Sequence, residues 1–407
     1  MRVIPTGPTW LTREDFHALL KPTVHSAKEL RLMLEQKLAR YLGREHAVLT
    51  PSGTAGIYLV LRALDLSDHS EVLTPAYTCI RVPNAIVAAG LRPRFVDIDE
   101  SANINLSATE AALTPNARCL LLTHLYGNPA NMDSFLALAE QHNLVVIEDC
   151  CMTFDSSYRG QRCGTFGRAA VFSLNRCKPI SAFGGGVVVT NDEALATSVR
   201  QLRDQETRPP NRSKVRQLWQ AILSNNFMFH PWSFGNIGKR LGKIPVMQTI
   251  LRRSQKPTTT NSISSIPLTD LATFQLRLGL CQLDHATELA KKRTSMANNY
   301  TTGLAGIRAD FIQSTTDAAP SWSHYTLILK PDQSRSAISH KLTELGVQPS
   351  ELFNYVCPMT PAYREFAQGD FPMAERFARQ IINLPFYPYL SENDQAQVIA
   401  AVRQVLS

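Results

Sequence analysis

A single lysine lies between two apolar runs in the stretch AAVFSLNRCKPISAFGGGVVVT, residues 169 to 190. An ammonium beside buried strands is costly unless it is paired or used in chemistry. Lys178 therefore has two interpretations. It is either a surface lysine whose stem packs on apolar atoms, or an amine made nucleophilic by a partly desolvated, electropositive environment. In the second case it forms a Schiff base with an aldehyde, and the nearby Ser173 joins a phosphate site.

A second candidate is the stretch TPSGTAG, residues 50 to 56, which follows the apolar AVLT and precedes a helical pattern. Ser52, Gly53 and Thr54 would present backbone N–H groups and hydroxyls at the N-terminus of that helix, where the helix dipole favours a phosphate. The same residues also make an ordinary capping turn. Both interpretations stay open on this stretch alone.

The third candidate is Asp149, which ends the apolar run NLVVIED. A carboxylate at the carboxyl edge of a sheet needs a cation, a metal or several hydrogen-bond donors to remain charged. By itself Asp149 could cap the next helix. A protonated ring nitrogen is the partner that suits it best.

Together the three candidates describe one ligand, with a phosphate at one end, an aldehyde at the other and an aromatic nitrogen kept protonated by Asp149. That ligand is pyridoxal 5'-phosphate, whose ring withdraws electrons only while its nitrogen is positive. The sequence thus predicts this cofactor, with Lys178 and Asp149 as the catalytic residues.

Residues 45 to 190 alternate short apolar runs with amphipathic segments, which is typical of a parallel sheet covered by helices on both faces. In such α/β sheets the ligand lies beyond the carboxyl ends of the strands. We expect a large cofactor-binding domain over 1–202, a separate segment over 203–260, and a long linking helix with a smaller α+β domain over 261–407.

The charge is concentrated in one segment. The formal net charge is +8, and residues 203 to 256 hold eleven Lys or Arg against Asp204 and Glu206. This basic segment, predicted to be helical around KVRQLWQAIL, could bind an anionic substrate such as a sugar nucleotide, an anionic membrane surface or an acidic partner protein, or could be a solvated arm. No nucleic-acid-binding motif surrounds it.

The composition, 44% apolar and 19% charged over 407 residues, is that of a globular protein. No signal peptide or long apolar run is evident, so we expect a cytoplasmic location. The eight cysteines lack metal-binding spacing, so neither a metal site nor a disulfide framework is expected.

Four stretches resemble the DegT/DnrJ/StrS family of aminotransferases, which act mainly on nucleotide-linked keto sugars: PSGTAGIYLVLRAL, HLYGNPANMDSFLALAEQHNLVVIEDC, YRGQRCGTFGRAAVFSLNRCKPISAFGGGVVVTNDEALA and FPMAERFARQIINLPFYPYL. The resemblance implies a fold-type I, pyridoxal-phosphate-dependent transferase with a mainly parallel seven-stranded sheet flanked by helices. It also implies a homodimer with the active site at the subunit interface.

Carried over to this sequence, the resemblance makes Lys178 the Schiff-base lysine of the family's F-S-F-x-x-x-K pattern and Ser173 a phosphate ligand. Gly53 and Thr54 match the phosphate-binding Gly-Thr pair. Asp149 matches the carboxylate that faces the pyridine nitrogen.

The sequence departs from the family pattern at several positions. Met152 stands where the family has a glutamine that bonds the cofactor's phenolic oxygen, and methionine cannot donate that bond. Cys79 stands where relatives place an aromatic ring over the pyridine, with Tyr77 as a second candidate. AFGGG replaces G-E-G-G, and CPMTPAY lacks the substrate-side histidine. The candidates for the asparagine that reaches the partner's phosphate are Asn261, Asn225 and Asn226.

The sequence therefore predicts an aminotransferase that moves an amino group from an amino acid such as glutamate to a keto sugar in polysaccharide or secondary-metabolite biosynthesis. The resemblance implies that this sugar is linked to a nucleotide. Two alternatives stay open: the same chemistry on a non-sugar ketone or aldehyde, and a non-catalytic regulatory protein on the same scaffold. A dehydratase is disfavoured because that branch replaces the lysine by histidine.

Overall fold

The computed structural model describes residues 3–7, 11–228, 263 and 265–407. None of the helices in these ranges is long and apolar enough to cross a membrane. The helices are α1 (Arg13–Leu20), α2 (Ala27–Leu42), α3 (Gly53–Ala63), α4 (Arg81–Ala88), α5 (Leu106–Ala111), α6 (Met132–Gln141), α7 (Glu193–Glu206), α8 (Arg212–Met228), α9 (Thr273–Asp284), α10 (Ala286–Gly303), α11 (Arg335–Glu344), α12 (Pro372–Gln380) and α13 (Glu392–Leu406). The strands are β1 (His46–Thr50), β2 (Glu71–Pro75), β3 (Arg92–Val96), β4 (Ala117–Thr123), β5 (Val145–Asp149), β6 (Ser157–Tyr158), β7 (Gln161–Arg162), β8 (Ala169–Ser173), β9 (Gly186–Thr190), β10 (Ala309–Phe311), β11 (Ala318–Ala319), β12 (Tyr325–Leu329) and β13 (Ile381–Leu384).

Seven strands form the central sheet in the order β1-β9-β8-β5-β4-β2-β3. Six run parallel, and β9 pairs antiparallel with both β1 and β8. Thr123 pairs with Asp149 and Asp149 with Val171, so the carboxyl ends of β4, β5 and β8 meet at one edge. The predicted mainly parallel α/β sheet is confirmed.

Apolar side chains of successive strand residues enter two different helical layers. Val48 and Val188 pack with Ile57 of α3, whereas Leu49 and Val187 pack with Leu34 of α2. Because strand side chains alternate between the two faces, a continuous apolar run is needed to cover both. The runs AVLT and GVVVT are continuous apolar runs of this kind. Their packing on both helical layers fixes the carboxyl end of β1 beside β9.

A buried ion pair links the two helical layers to the sheet. The Arg203 guanidinium on α7 lies 2.9 Å from Glu35 Oε1 on α2 and 2.8 Å from Asp204. Glu35 Oε1 also accepts the backbone N–H of Leu49 at 2.8 Å. Burial raises the pKa of Glu35, and the adjacent backbone N–H and Arg203 oppose that rise.

The C-terminal part is built on the three-stranded sheet β10-β12-β13. Leu327 and Leu329 of β12 pack with Tyr300 of α10 and Val402 of α13, while Ile328 faces a second cluster that includes Phe377 of α12. The amino-terminal segment joins this part, because the N–H of Ile4 donates to the carbonyl of Gly346 at 2.8 Å.

The predicted long helix over residues 271 to 300 is instead two helices, α9 and α10, which meet at His285. His285 has φ −97° and ψ 0°, and its N–H donates to the Gln282 carbonyl at 3.2 Å. The two helices have different partners, since Leu276 of α9 packs in the α2 cluster and Met296 of α10 packs in the C-terminal core. A continuous apolar pattern cannot reveal such a change of partner.

The helix predicted around KVRQLWQAIL is confirmed as α8. Val215, Leu218 and Trp219 of α8 pack in a cluster with Leu19 of α1 and Phe274 of α9. The ring centroids of Trp219 and Phe274 are 4.9 Å apart. The rest of the basic segment, from residue 229 on, lies outside the described residues.

We expect Arg203→Met to destabilise the protein by about 3–5 kcal/mol, because it leaves the buried Glu35 carboxylate without its cation. Urea unfolding followed by circular dichroism measures this change. The double variant Glu35→Gln/Arg203→Met should recover much of the stability that Arg203→Met loses. If the unfolding free energy of Arg203→Met equalled that of wild type, the prediction would be contradicted.

Candidate active site

A cavity of about 500 Å³ opens at the carboxyl ends of β1, β4, β5 and β8. Every residue predicted to hold the cofactor lines it: Ser52, Gly53, Thr54, Cys79, Asp149, Met152, Ser173 and Lys178. Sequence positions that are far apart thus share one space. The geometry brings them together, while their chemical roles remain predictions.

One end of the cavity is the start of α3. Ser52 is the N-cap of this helix, and its Oγ accepts the N–H of Ala55 at 3.1 Å, so its side chain does serve as a cap. The N–H groups of Gly53 and Thr54 have no acceptor within the helix because they lie in its first turn. They could therefore donate to a phosphate, which the helix dipole also favours.

Two glycines allow the segments at this end to approach each other. A Cβ on Gly53 would lie 2.6 Å from Cys151 Sγ and 3.2 Å from Ser173 Cβ. A Cβ on Gly186 would lie 2.5 Å from the carbonyl carbon of Ser52. Ser173, 7% exposed, consequently lies beside the first turn of α3. Together these groups form a compact anion cradle.

Asp149 is 4% exposed, yet it makes no ion pair within the described ranges. Its Oδ1 accepts the backbone N–H of Cys151 at 3.0 Å. Because a buried carboxylate without a counter-charge is unfavourable, this position suits a ligand that brings a positive charge.

Two hydroxyls in the same cavity also lack partners. The Oγ1 atoms of Thr78 and Thr123 are buried, and neither has a hydrogen-bond partner in the described structure. Both residues line the cavity beside Asp149. Buried polar atoms are usually bonded, so these two are further places where a polar ligand fits.

Lys178 lies in the loop after β8 and is half-buried. Its backbone N–H donates to the Asn175 carbonyl at 3.2 Å, which fixes the turn. Its ammonium makes no hydrogen bond or ion pair with any described residue. Its amine faces the same cavity as Asp149 and the start of α3.

Cys79 and Met152 line the cavity, but Tyr77 does not. The Tyr77 hydroxyl lies 2.7 Å from that of Tyr126, and its ring packs edge-on to Phe353 at 5.8 Å. The alternative prediction, that the Tyr77 ring lies over the pyridine ring of the cofactor, is wrong, because the Tyr77 side chain points into an aromatic core. Burial raises the pKa of the Cys79 thiol, while a backbone N–H and the Lys178 charge oppose that rise. Cys79 thus presents a neutral thiol.

Two of the candidate asparagines, Asn225 and Asn226, are not part of this cavity. The Asn226 amide oxygen accepts the N–H of Leu11 at 2.9 Å, and its nitrogen donates to the Ile222 carbonyl at 2.9 Å. Asn225 is 2% exposed within α8. Asn226 is thus hydrogen-bonded within its own chain, and Asn225 is buried there. Asn261 lies outside the described residues.

Sequence reasoning missed His324, which directly precedes β12 and lines the cavity together with Lys178. Burial and the charges of Lys178 and Arg293 lower the pKa of His324 to about 3, so the ring is neutral. Its Nδ1 lies 3.1 Å from Ser323 Oγ. The only available signal was a histidine at the start of the apolar run HYTLILK.

Three cations line the outer part of the cavity, namely Arg81, Arg176 and Lys214. Arg81 begins α4, and Lys214 belongs to α8 in the basic segment. Arg81 and Lys214 are exposed and Arg176 is half-buried. The cavity therefore carries positive charge at its opening.

A buried cluster of His124, Glu148 and Cys150 has metal-binding residue types. However, His124 Nδ1 accepts the N–H of Ala130 at 3.0 Å, and its Nε2 lies 3.2 Å from Glu148 Oε2. Glu148 also accepts three backbone N–H groups, from residues 164, 166 and 167. Burial alone would raise the pKa of Glu148, but these bonds hold it below its ordinary value. The cluster fastens the loop after β7 to β5.

A model of the DegT/DnrJ/EryC1/StrS aminotransferase family matches residues 14–235 and 254–403. The chain belongs to this family. It is therefore a pyridoxal-phosphate-dependent aminotransferase, and the predicted family, enzyme class, fold class and cofactor are confirmed. The uncompensated Asp149, the glycine cradle and the unpaired Lys178 amine fit that cofactor.

Two relatives of this DegT family member have known sugar chemistry. A dTDP-3-amino-3,4,6-trideoxy-alpha-D-glucose transaminase of Streptomyces venezuelae is 31% identical over 91% of this chain and 85% of its own length. GDP-perosamine synthase of Caulobacter vibrioides is 29% identical over 91% of this chain and 89% of its own. The crystal structure of S. venezuelae DesV superposes with a TM-score of 0.75 at 26% identity, covering 98% of each chain.

We expect Asp149→Asn to weaken cofactor binding about ten- to a hundredfold, because the ring nitrogen loses a charge-assisted bond. The cofactor-free protein should be at least as stable as wild type, since the variant removes an uncompensated buried charge. Titration with pyridoxal 5'-phosphate and thermal melting measure the two effects.

The matched control is Glu148→Gln at the preceding residue, which should lower the stability of the cofactor-free protein by about 2 kcal/mol or more because it weakens bonds to three N–H groups. If Asp149→Asn lowered the melting temperature but did not weaken cofactor binding, Asp149 would be a structural carboxylate like Glu148. That result would contradict the prediction.

The low pKa of His324 predicts a specific pH dependence of stability. The pKa is lowered from 6.5 to about 3, so stability is fully present above pH 6.5 and is lost as the pH falls towards 3. His324→Gln should lose less stability than wild type between pH 7.5 and pH 5, as measured by urea unfolding. The exposed His142→Gln should follow wild type, and equal pH dependence in all three proteins would contradict the prediction.

Proposed function

We propose that this protein transfers an amino group from an amino acid, with glutamate as the expected donor, to the keto carbon of a nucleotide-linked sugar. Such a product serves polysaccharide or secondary-metabolite biosynthesis. The observation that carries the proposal is that Lys178 and Asp149, neither of which has an ionic partner among the described residues, face one cavity with the start of α3.

When bound, the cofactor supplies an aldehyde that links to amines and a cationic ring that withdraws electrons from the attached carbon. In the proposal, Asp149 keeps the ring nitrogen protonated through a charge-assisted hydrogen bond. Ser173 and the N–H groups of Gly53 and Thr54 hold the phosphate.

Lys178 has two roles in this proposal. Its Nζ holds the resting cofactor and is released when the donor amine takes its place. With the cofactor bound, the free amine would act as a base toward the substrate carbon that carries nitrogen and as an acid toward the carbon of the cofactor's aldehyde group. In the part of the chain that the structure describes, no ion pair competes for this amine. This supports the proposal, because an amine fixed by a carboxylate could not move between the two carbons.

The positive opening of the cavity supports a nucleotide-linked acceptor. Arg81, Arg176 and Lys214 offer donors to a diphosphate at the end of the cavity away from the sheet. Both relatives described above are named for sugars linked to dTDP or GDP. In the proposal, Lys214 and the described part of the basic segment serve the substrate, in preference to a membrane surface or an acidic protein.

We also propose a homodimer. Four large apolar side chains between residues 20 and 33 are exposed, with Val24 at 97% and Leu20 at 69%, followed by Leu32 and Met33. A second copy would cover such side chains. Sedimentation of the purified protein at several concentrations tests the oligomeric state.

A non-sugar ketone or aldehyde is the second candidate acceptor, favoured by one observation. Met152 lines the cavity where the family has an amide, and the amides of Asn175 and Gln275, which also line it, bond backbone groups of their own chain. A nucleotide-linked keto sugar carries a diphosphate, whereas a simple ketone or aldehyde does not. A panel of dTDP-, UDP- and GDP-linked keto sugars, set against simple keto acids and aldehydes, therefore separates them.

We expect purified protein to show cofactor absorbance, and borohydride reduction should attach the cofactor to the peptide containing Lys178. Lys178→Ala should abolish amino transfer, while Lys214→Ala should retain the reaction with glutamate and raise KM for the nucleotide-linked acceptor about tenfold. Mass mapping identifies the peptide that carries the reduced cofactor, and absorbance follows amino transfer in the two variants. Transfer by Lys178→Ala at the wild-type rate would refute the assignment.

A further inference from the structure

The hydroxyl of Thr123 is a buried polar group that the chemistry above does not use. Thr123 is the last residue of β4 and is 4% exposed. Its Oγ1 has no hydrogen-bond partner in the described part of the chain, and the residue lines the cavity of the candidate active site. Burying a hydroxyl without a partner is unfavourable, so a polar atom of a ligand is the group expected beside it.

The backbone places Thr123 beside two other residues of the cavity, Asp149 and Met152. Thr123 pairs in register with Asp149 of β5, and the N–H of His124 donates to the Asp149 carbonyl at 3.2 Å. The hydroxyl of Thr153 donates to the His124 carbonyl at 3.0 Å. The end of β4 therefore runs beside both the carboxylate proposed for the ring nitrogen and the segment that contains Met152.

Two further threonine hydroxyls, those of Thr74 and Thr78, are also buried and unpartnered among the described residues. Thr74 belongs to β2 and is not one of the residues that line the cavity, so an unpartnered hydroxyl does not by itself indicate a ligand. Thr78 lines the cavity but precedes Cys79, next to the position where the family places an aromatic ring over the cofactor. Thr123 is thus the unpartnered hydroxyl at the same strand edge as Asp149, and Thr74 is its matched control.

The amides that line the cavity belong to other elements and have partners there. The Gln275 amide on α9 donates to the Ala182 carbonyl at 3.1 Å. The Asn175 side chain, in the loop after β8, is exposed and accepts the N–H of Arg176 at 2.8 Å. The Thr123 hydroxyl on β4 is therefore a better candidate than either amide to bond a ligand atom at this edge of the sheet.

We propose that the Thr123 hydroxyl donates a hydrogen bond to the phenolic oxygen of bound pyridoxal 5'-phosphate, in place of the bond that Met152 cannot donate. The inference rests on the proposed function, because it requires the ring to lie between Asp149 and Lys178. A threonine hydroxyl has one donor and rotates to suit its acceptor, so it can serve an ionised oxygen at the edge of the ring. Thr123 thereby contacts the cofactor and stabilises negative charge on the phenolic oxygen.

The main test is Thr123→Val, which replaces the hydroxyl by a methyl group of similar size. We expect the Kd for pyridoxal 5'-phosphate, titrated into cofactor-depleted protein, to rise about three- to tenfold, while the Kd for 3-deoxypyridoxal 5'-phosphate, an analogue that lacks the phenolic oxygen, should change less than about twofold. The melting temperature of the cofactor-depleted protein should stay equal or rise, because the variant removes an unpartnered buried hydroxyl.

A second measurement reports on the phenolic oxygen directly. In a spectrophotometric pH titration of the holoenzyme, the midpoint should lie about one pH unit higher in Thr123→Val than in wild type. The reason is that a phenolic oxygen without this donor holds negative charge less well, so it retains the proton that it shares with the Lys178 nitrogen to higher pH. A residue that only packs against the cavity wall would not move this midpoint.

Three further variants complete the design. Thr74→Val removes the matched unpartnered hydroxyl outside the cavity, so its Kd for the cofactor and its pH midpoint should equal those of wild type. Thr123→Ser keeps a hydroxyl and should stay within about twofold of the wild-type Kd. Adding Met152→Gln to Thr123→Val supplies an amide donor at the family's position, which should recover most of the affinity and the wild-type midpoint.

Three results would overturn the inference. The first is an unchanged Kd for the cofactor with an unchanged midpoint in Thr123→Val. The second is an equal loss of affinity for the cofactor and for its 3-deoxy analogue. The third is a shift in Thr74→Val as large as that in Thr123→Val. Failure of the proposed function has a different signature, because borohydride reduction would then leave the peptide that contains Lys178 without the cofactor.

Discussion

The close backbone contact between β9 and the start of α3 is the constraint on which the rest of the site depends. Gly186 pairs with both Thr50 and Ser173, and a single added carbon at Gly186 would collide with the Ser52 backbone. The antiparallel β9 thereby draws two parallel strands together at their carboxyl ends. The proposed phosphate cradle is a by-product of that packing, because no side chain is left to fill the space.

A second constraint concerns charge. Glu148 and Asp149 are consecutive on β5 and point to opposite faces of the sheet. Glu148 is surrounded by donors from its own chain, whereas Asp149 receives one backbone N–H at 3.0 Å. The fold satisfies the first carboxylate and leaves the second for a ligand.

The sequence predicted the features that depend on local pattern. Apolar runs defined the strands, and polar residues just after them, such as Asp149 and Ser173, fell at one sheet edge because parallel strands end together. Other features depend on contacts between distant segments. The break at His285, the inward turn of Tyr77, and the position of His324 follow from how the C-terminal part packs on the sheet. No single-sequence period encodes that packing.

The amino-terminal segment has a consequence for biosynthesis of the chain. Thr6 bonds the carbonyl of Gln348, which lies 342 residues later, and Ile4 pairs beside Val347. Ile4 and Thr6 must therefore wait until the segment around Gln348 has been synthesised before they find their partners. The sheet around Asp149 can assemble before that point of translation, but a second cavity, which Thr6 lines, closes only afterwards.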